Sequence, residues 1–546
     1  MKNKRYSSGD IFIWFTGMGL AISLIMISGL LLLIVLNGKN YFWAADLKEI
    51  KLTDGKLVLG EVIKEELIPN FNLPDSLKNK GLKRIQLKIG NRDLYGFDFQ
   101  WIDERRILSV NYPLDAVSIE RFEFGNFYGF IKELIIKETV YKSSSPNFYA
   151  TLNENLNLVS NLRERIKKIE KSEIGKINYN IEKLRLEIKK IEYHQKNKSI
   201  AEKKIADIKK EIEKENLNYE RLKRSVDSLR EKASMYSIYC EDINGRPKSI
   251  ALMDVVKYYR PNQMSYSDKL TYMFSKIFEF IFDEPRESNT EGGVFPAIFG
   301  TVMMVLIMSL FTVPLGVLAA LYLREYAKQG TLVRLVRIAV NNLAGVPSIV
   351  FGVFGLGFFI YFVGGTIDQI FYPERLPTPT WGTGGILWAS LTLSLLTMPV
   401  VIVATEEALT QIPRGMREAA LALGATKWQV TSRIIIPAAM PGILTGLILA
   451  MARAAGEVAP LMITGVVKLA PTLPFDSYFP FIHLDRKFMH LGFHIYDVGF
   501  QSPNIEAALP MVFTTTLLLI LIVVLLNITA MIIRARLRKK YKTSAF

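Results

Sequence analysis

Six long apolar runs dominate this chain of 546 residues, and they constrain its fold more than any other feature. Each run has enough residues to cross a hydrocarbon core of about 30 Å as an α-helix. A soluble protein of this size would instead divide its apolar residues among several domain cores. The sequence predicts an all-α polytopic membrane protein with about six transmembrane helices, over roughly 11–36, 296–322, 340–363, 386–405, 439–464 and 509–533.

Basic residues flank these runs at alternate ends. They precede the first run, follow the second, separate the fourth from the fifth and follow the sixth: Lys2, Lys4 and Arg5; Arg324, Lys328, Arg334 and Arg337; Arg414, Arg417, Lys427 and Arg433; Arg534, Arg536, Arg538, Lys539 and Lys540. Because lysine and arginine concentrate in cytoplasmic loops, the pattern predicts a multi-pass bacterial inner-membrane protein with both termini cytoplasmic. These flanks supply much of the net charge of +16, so no nucleic-acid partner is predicted.

The first run is longer than a signal sequence. Its apolar core of about 25 residues exceeds the ~7–15 of a signal peptide, which predicts a retained anchor over residues 1–45. The single cysteine, Cys240, cannot form an intrachain disulfide, and no role is assigned to it.

A large extracytoplasmic insert is predicted between the first and second runs. Ile85, Leu87 and Ile89 alternate with polar residues before the Gly90-Asn91 turn, which predicts a small β-rich domain over 46–150. Residues 151–236 carry heptads instead and predict an antiparallel coiled-coil hairpin whose apolar seam lapses near Asn197. The heptad positions are Ile177, Ile181, Leu184, Ile188, Ile191, Tyr219, Leu222, Val226 and Leu229.

Residues 237–293 are expected to be a linker with an interfacial segment. Within it, 270–282 mixes aromatic and charged residues in a pattern typical of a helix that lies along the membrane surface. Membrane lipid is therefore one expected partner of this chain.

Signatures of enzymes and metal sites are largely absent. The sequence contains no Gly-x4-Gly-Lys-Ser/Thr loop to cradle nucleotide phosphates and no G-x-S-x-G nucleophile motif. His490 and His494, with Asp497 nearby, would share one face of a helix, as metal ligands can. The interpretation adopted is that they are polar loop residues. No catalytic site, metal or cofactor is predicted for the chain itself.

A charged pair interrupts the fifth apolar run. Arg453 and Glu457 are four residues apart, so a helix would place them on one face. Charges in a bilayer usually face a polar pathway or a partner. One interpretation is a structural ion pair that lowers the cost of burial. The other, which we adopt, makes Arg453 a permanently charged donor for an oxyanion in a substrate pathway, oriented by Glu457.

A polar segment over 406–437 separates the fourth and fifth runs. Gly424 is expected to end a first short helix in the left-handed conformation, and Thr426 with Gln429 forms a capping box for a second. Gly424 follows Glu418-Ala419-Ala420 by three residues, and nine residues later come Ile434, Ile436 and Pro437. This spacing resembles the E-A-A-x3-G-x9-I-x-L-P loop of ABC-importer permeases, with Ile436 at the family's leucine. The resemblance implies an ATPase-coupling loop formed by Arg417, Glu418, Ala419, Ala420, Gly424 and Ala425.

A more specific resemblance covers about residues 290–540. The runs 342–352 and 441–446, together with Leu449 to Leu461 and its Arg453-Ala-Ala-Gly-Glu457 core, are similar to the PstA family of phosphate-importer permeases. The resemblance implies type I ABC-importer permease architecture over 294–540. It also implies three partners: a PstC-like permease subunit, a PstB-like ATPase dimer that uses ATP, and a periplasmic phosphate-binding protein. A basic member of that family has only a short link between its first two spans, so this chain resembles a variant of the family with a long N-terminal insert.

The function expected from these observations is ATP-driven uptake of inorganic phosphate. Two alternatives remain open at this stage. The chain could be a permease for another oxyanion, such as sulfate or molybdate. It could also be a phosphate-sensing or scaffolding membrane protein without transport, in which the insert gathers partners.

Overall fold

The computed structural model describes residues 10–68, 82–194, 198–502 and 505–542. Six helices in these ranges are long and apolar enough to cross a membrane, as the sequence predicts. We refer to them as the first to sixth spans: Phe12–Tyr41, Phe295–Tyr326, Ser348–Phe371, Ile386–Thr410, Lys427–Gly456 and Ala508–Lys539. The basic residues expected before the first span, Lys2, Lys4 and Arg5, lie outside the described residues.

Two spans differ in their bounds from the expectation. The third begins at Ser348 instead of near residue 340 because a separate helix, Thr331–Leu343, precedes it. Pro347 stands directly before Ser348, and the residue before a proline disfavours the helical conformation, which favours a break between the two helices at this point. The fifth ends at Gly456 instead of near residue 464, and a short helix, Ala459–Thr464, follows it.

The fourth span is the centre of the membrane bundle. It packs against both the second and the fifth spans, and small residues let the backbones approach closely. A Cβ added to Gly446 of the fifth span would lie 2.8 Å from the Cβ of Ala404. Thr312 of the second span donates a buried hydrogen bond to Ser394 of the fourth, with 2.9 Å between the hydroxyl oxygens. These three spans therefore form one tightly packed unit.

Two antiparallel sheets form the core of the insert between the first and second spans. The first sheet has the order β4-β3-β2-β1-β5, and the second β10-β9-β7-β6-β11 with β8 paired to β7. Their strands are β1 Lys48–Leu52, β2 Leu57–Leu67, β3 Lys83–Lys88, β4 Phe99–Asp103, β5 Ile107–Asn111, β6 Val117–Arg121, β7 Phe127–Ile136, β8 Thr139–Lys142, β9 Tyr236–Glu241, β10 Pro247–Ala251 and β11 Val255–Tyr259. Two short strands, Pro285–Arg286 and Glu291–Gly292, pair before the second span.

The β-rich part extends beyond the expected residues 46–150. The strands β9, β10 and β11 lie in the segment predicted as a linker, 237–293, and they complete the second sheet. Ile238 and Cys240 of β9 point into the same core as Phe127 and Phe148. The earlier strands with which they pair lie far away in the sequence, so no hairpin pattern connects the partners. Each strand by itself shows only a short alternation of apolar and polar residues, and for this reason the sequence analysis missed them.

Two long helical segments leave the second sheet and pack side by side. One comprises Phe148–Lys168 and Gly175–His194, joined by a π-helical turn, and the other is Lys198–Ser234. They run antiparallel, since Asn180 donates to Glu215 at 3.0 Å and, nearer the sheet, Arg230 pairs with Glu170 at 2.7 Å. The predicted lapse of the seam near Asn197 lies outside the described residues. We call these two segments together the helical arm.

The helical arm rests on the membrane bundle at Ser172 and Tyr179, beyond the middle of its first segment. The ring of Tyr179 stacks on that of Tyr478, which belongs to the connection between the fifth and sixth spans, with 5.1 Å between centroids. The Tyr179 hydroxyl donates to the Phe479 carbonyl, and the Tyr478 hydroxyl donates to the Ser172 carbonyl, both at 3.3 Å. The arm therefore covers part of the bundle on the side that carries the insert, which we call the insert side.

A juxtamembrane helix, Tyr266–Phe282, joins the insert to the second span. It begins with a capping box between Ser265 and Asp268. Its Lys276 ammonium lies 2.5 Å from the Glu120 carboxylate of β6, and the Tyr272 hydroxyl donates to the same carboxylate at 2.7 Å. Burial alone would raise the pKa of Glu120, but Lys276 and Lys257 outweigh it and lower that pKa to about 2.

Replacing Glu120 is expected to destabilise the insert. In Glu120→Gln the ammonium of Lys276 stays buried without its main counter-charge, a change that costs about 3 kcal/mol in comparable sites. The thermal unfolding midpoint of the purified chain at neutral pH should fall accordingly. The carboxylate stabilises the folded state above its ordinary pKa of 4.5, so the difference from wild type should disappear as the pH falls towards about 2.

The matched control is Glu170→Gln, which removes the exposed ion pair with Arg230. Pairs of this kind contribute about 0–1 kcal/mol, so this variant should remain close to wild type. Equal destabilisation by the two substitutions would show that the Glu120 pair does not hold the juxtamembrane helix to the sheet.

Candidate functional site

The apolar run that contains the fifth span does not fold as a single helix. The helix of the span ends at Gly456, and Glu457 is already extended, with φ −76° and ψ 138°. The short helix Ala459–Thr464 then continues the chain towards the insert side. Non-helical backbone at membrane depth occurs where protein or a water-filled cavity supplies its hydrogen-bond partners. Such breaks are a feature of substrate sites in several transporter folds.

Packing of the short helix fixes the depth of this break. Gly352, about one turn into the third span, lies so close to Pro460 that an added Cβ would be 2.7 Å from the Pro460 Cα. At the other end, the backbone N–H of Gly385, directly before the fourth span, donates to the Thr464 carbonyl at 3.1 Å. The short helix thus covers part of the bundle's depth, and the break at Glu457 lies below its insert-side surface.

Arg453 and Glu457 meet at this break. The Arg453 Nε lies 3.6 Å from the Glu457 Oε1, and the Arg453 side chain is 34% exposed. Ala454 and Ala455, by contrast, are buried in the cluster formed with the second and fourth spans. Gly456 has open space around its Cα. One side of the break is therefore packed against the bundle, and the other carries the two charges and is open.

The guanidinium of Arg453 has spare hydrogen-bonding capacity. Within the described ranges, its ion pair with Glu457 is the one polar contact recorded for it, and a guanidinium has five N–H donors in a planar fork. Such a fork binds the oxygens of carboxylates and phosphates in pairs. The arrangement can bind an oxyanion while Glu457 holds the guanidinium in place.

The chain from the end of the fourth span to the start of the fifth folds into the two short helices that the sequence predicts, the second of which opens the fifth span. The first is Arg414–Ala422, and Gly424 follows it with φ +82°, the left-handed conformation expected at a helix stop. The second, Lys427–Val430, starts with the capping box of Thr426 and Gln429. Pro413 is the residue directly before the first helix.

Arg417 fixes these helices to the bundle. Its guanidinium lies 2.9 Å from the Glu325 carboxylate at the end of the second span and donates to the carbonyls of Leu409 and Ile412, both at 2.8 Å. A second ion pair, between Arg337 and Glu406 at 3.1 Å, ties the preceding helix Thr331–Leu343 to the fourth span. Movement of the first short helix is thereby linked to the second and fourth spans, and through Glu406 to the helix Thr331–Leu343.

The surface of this loop differs from the one that the sequence motif suggests. Of the predicted coupling residues, Glu418, Ala419 and Gly424 are exposed and Ala425 is half-buried, but Ala420 is buried against the bundle and Arg417 turns inward. Two large apolar side chains that the sequence analysis did not single out stand on the outside: Leu423 is 90% exposed and Trp428 62%. The sequence places Leu423 next to the helix stop at Gly424 and Trp428 two residues after the capping residue Thr426. These positions at helix ends could have indicated that both side chains are exposed.

The histidine pair is buried rather than placed in a polar loop as expected. His490 and His494 are almost fully inaccessible, and burial lowers the pKa of His490 to about 3 and that of His494 to about 4, so both are neutral near pH 7. Asp497 pairs with Lys468 at 3.1 Å. Over the part of the chain that the structure describes, no group of three or more potential metal ligands comes together.

Both the sequence and the fold of this chain are similar to those of known proteins. The sequence model described as "Binding-protein-dependent transport system inner membrane component" matches residues 312–543. The probable ABC transporter permease protein YqgI of Bacillus subtilis (strain 168) is 32% identical over 237 residues, which are 42% of this chain and 74% of that protein. This chain belongs to the ABC transporter permease family. The permease is accordingly a multi-pass inner-membrane subunit of an importer, and the family implies a second permease, a substrate-binding protein and a separate ATPase subunit.

Other relatives match a smaller part of their own length. The phosphate transport system permease protein PstA of Mycobacterium leprae (strain TN) is 37% identical over 187 residues, which are 34% of the permease and 55% of that protein. The permease thus spans about half the length of this relative. Among solved structures, the MetNI methionine ABC transporter in inward-facing conformations aligns with this permease at 21% identity and a TM-score of 0.33. The alignment covers 44% of the permease and 94% of that chain.

Removing the Arg417 side chain is expected to loosen the loop of the permease. Arg417→Ala deletes an ion pair and two hydrogen bonds from a charged donor, each worth about 1.5–3 kcal/mol. Local opening should therefore increase at least about tenfold. Chymotrypsin, which cleaves after Leu423 and Trp428, should cut the purified variant correspondingly faster than wild type. Arg414→Ala, at an exposed position, is the control, and equal cleavage of the two variants would contradict this role of Arg417.

Proposed function

We propose that this chain is the permease subunit of an ATP-driven importer of inorganic phosphate. The observation that carries the proposal is the broken fifth span, where the partly exposed Arg453 keeps free donors beside an open backbone at Gly456. A permanently charged planar fork suits an oxyanion with several acceptor oxygens. The choice of phosphate over sulfate or molybdate rests on the similarity to PstA proteins, among them that of Yersinia pestis at 36% identity over 182 residues.

In this proposal the substrate crosses on the open side of the break. The third span exposes a continuous apolar face, including Phe354, Phe358 and Phe362, beside the short helix that follows Glu457. A second permease, resembling PstC, would cover this face and complete the pathway. Arg453 and Glu457 would then line the interface between the two subunits. Burial behind that interface would strengthen the attraction of Arg453 for an anion.

The coupling step is assigned to the two short helices around Gly424. An ATPase dimer resembling PstB would dock on Leu423, Trp428 and the exposed Glu418. Its closure on binding ATP would push the two short helices. Arg417 would pass the push to the ends of the second and fourth spans through Glu325 and Leu409. Both termini and this loop would lie in the cytoplasm, because the basic flanks of the spans gather on that side.

The helical arm belongs to the docking side for a phosphate-binding protein. We propose that the arm is an antiparallel coiled coil, because Ile177, Ile181, Val226 and Leu229 occupy heptad positions and are buried. The part of the arm around Tyr179 covers the loop at Tyr478, so a substrate-binding protein that reaches the bundle from the insert side would also meet the arm.

Substitution of Arg453 tests the substrate pathway. In cells without their own importer, supplied with this chain and its partner subunits, Arg453→Ala should lower uptake of radiolabelled phosphate at least about tenfold because the charged donors are lost. Arg453→Lys keeps the charge without the planar fork and should transport at an intermediate rate. Arg105→Ala, at an exposed position of the insert, is the control at matched membrane levels.

A double variant separates this role from a purely structural ion pair. If Arg453 and Glu457 only compensate each other's burial, Arg453→Ala combined with Glu457→Ala should restore uptake. We expect it to restore membrane levels without restoring uptake. Uptake of sulfate or molybdate in place of phosphate would favour another oxyanion. Absence of any uptake by the wild type would favour the sensing or scaffolding alternative.

Gly424 tests the coupling step. Proline cannot adopt the positive φ of Gly424, so Gly424→Pro should displace the second short helix and abolish both phosphate uptake and phosphate-stimulated ATP hydrolysis of the assembled complex. Gly424→Ala meets open space and suffers only the backbone strain, so it should keep part of both activities. Normal coupling in the proline variant would contradict the assignment.

A further inference from the structure

The juxtamembrane helix Tyr266–Phe282 has two unlike faces. One is fixed to the insert by Tyr272 and Lys276, which contact Glu120, and by Glu279, which pairs with Lys257 at 2.7 Å. The opposite face is uncovered. On it, Phe274, Phe278 and Phe282 follow one another at intervals of four residues, and Phe278 is 66% exposed. Their shared face extends about 12 Å along the helix axis.

The end of this helix lies level with the insert-side ends of three spans. The ring of Phe280 packs against those of Tyr41 and Phe42 at the end of the first span, with 5.6 Å between centroids in both cases. The backbone N–H of Val294, next to the start of the second span, donates to the Phe280 carbonyl at 2.8 Å. Phe280 also shares a buried cluster with Ala508 and Met511 of the sixth span. The helix therefore ends where the hydrocarbon region of the bundle begins.

The exposed face changes in polarity along the helix. Its first half carries Ser267 and Thr271, and its second half, nearer the spans, carries the three phenylalanines. A helix that enters the membrane surface obliquely needs this gradient, with polar side chains in water and aromatic ones at the level of the headgroups and upper acyl chains. Single exposed apolar residues are ordinary on protein surfaces, but three in a row at this level are a contact surface.

We propose that the face formed by Phe274, Phe278 and Phe282 is a lipid-contact surface that inserts into the insert-side leaflet of the bilayer. Continuity with the first span supports lipid as the occupant, because that span is itself uncovered along most of its length and joins this helix through Tyr41 and Phe42. The Glu120 network then holds the sheets of the insert at a fixed height above the membrane. The lipid contact thereby gives the insert, and with it the helical arm, a second anchor that is independent of the contact at Tyr478.

The chain offers a direct way to measure this contact. Cys240 is its single cysteine and is buried, and burial raises the pKa of its thiol to about 12, so it should not react with a thiol-specific spin label in the folded protein. One nitroxide can therefore be placed at Phe278→Cys in the full chain reconstituted in lipid nanodiscs. Phe274→Cys and Phe282→Cys are parallel variants in case one substitution lowers the yield.

Collisions with oxygen and with a water-soluble nickel chelate distinguish the outcomes. Labels at 274, 278 and 282 should favour oxygen over nickel at least about fivefold more than a label at Leu217→Cys, an exposed position of the helical arm. Equal nickel accessibility at both sites would refute a lipid contact. Protection from both reagents would show that protein covers the face and would also overturn the proposal. Neither result depends on the transported substrate.

Discussion

Hydrocarbon offers no hydrogen-bond partner to backbone N–H and C=O groups, and the architecture of this permease follows from that constraint. All six of its spans satisfy it with helices that are long and apolar enough to cross. Beyond the fifth, the chain leaves the helical conformation at Glu457 while still beside other spans, and a short helix then resumes. At this break the Glu457 N–H still donates to the Ala454 carbonyl at 3.2 Å, and the short helix packs against Gly352 and is bonded to Gly385. The same break exposes the one charged pair on this part of the chain, so the irregularity and the candidate site have a common origin.

The two ends of the bundle are held by different chemistry. On the side of the short helices, Arg417 and Arg337 join separate helices through ion pairs and backbone carbonyls at partly exposed positions. Ion pairs at partly exposed positions can exchange partners more readily than ion pairs in a buried site. On the insert side, the Glu120 carboxylate is buried among lysines, and breaking it is costly. The first arrangement suits an element that moves, and the second suits an element that keeps its place.

Local sequence patterns predicted the local structure well. The apolar runs predicted six spans, and Gly424 with the Thr426–Gln429 pair predicted the stop and restart of the short helices, because each depends on residues a few positions apart. What the sequence missed depends on distant partners. Arg417 turns inward to contact Glu325, and this partner lies 92 positions away in the sequence. Strand β9 pairs with β7, and the whole helical arm separates the two strands in the sequence. The break at Glu457 was hidden because the apolar composition continues through Thr464, although Gly456 and Pro460 flank it.

The contact between Tyr179 and Tyr478 gives the helical arm a second point of attachment. At its start the arm is packed against the second sheet through Phe148 and Leu152, and farther along it is held by the connection between the fifth and sixth spans. A helix held at two separate points cannot swing about either of them. A displacement of that connection must therefore carry the arm and the sheet with it or break the tyrosine stack. The insert is thus coupled mechanically to the bundle and does not hang from it by the chain alone.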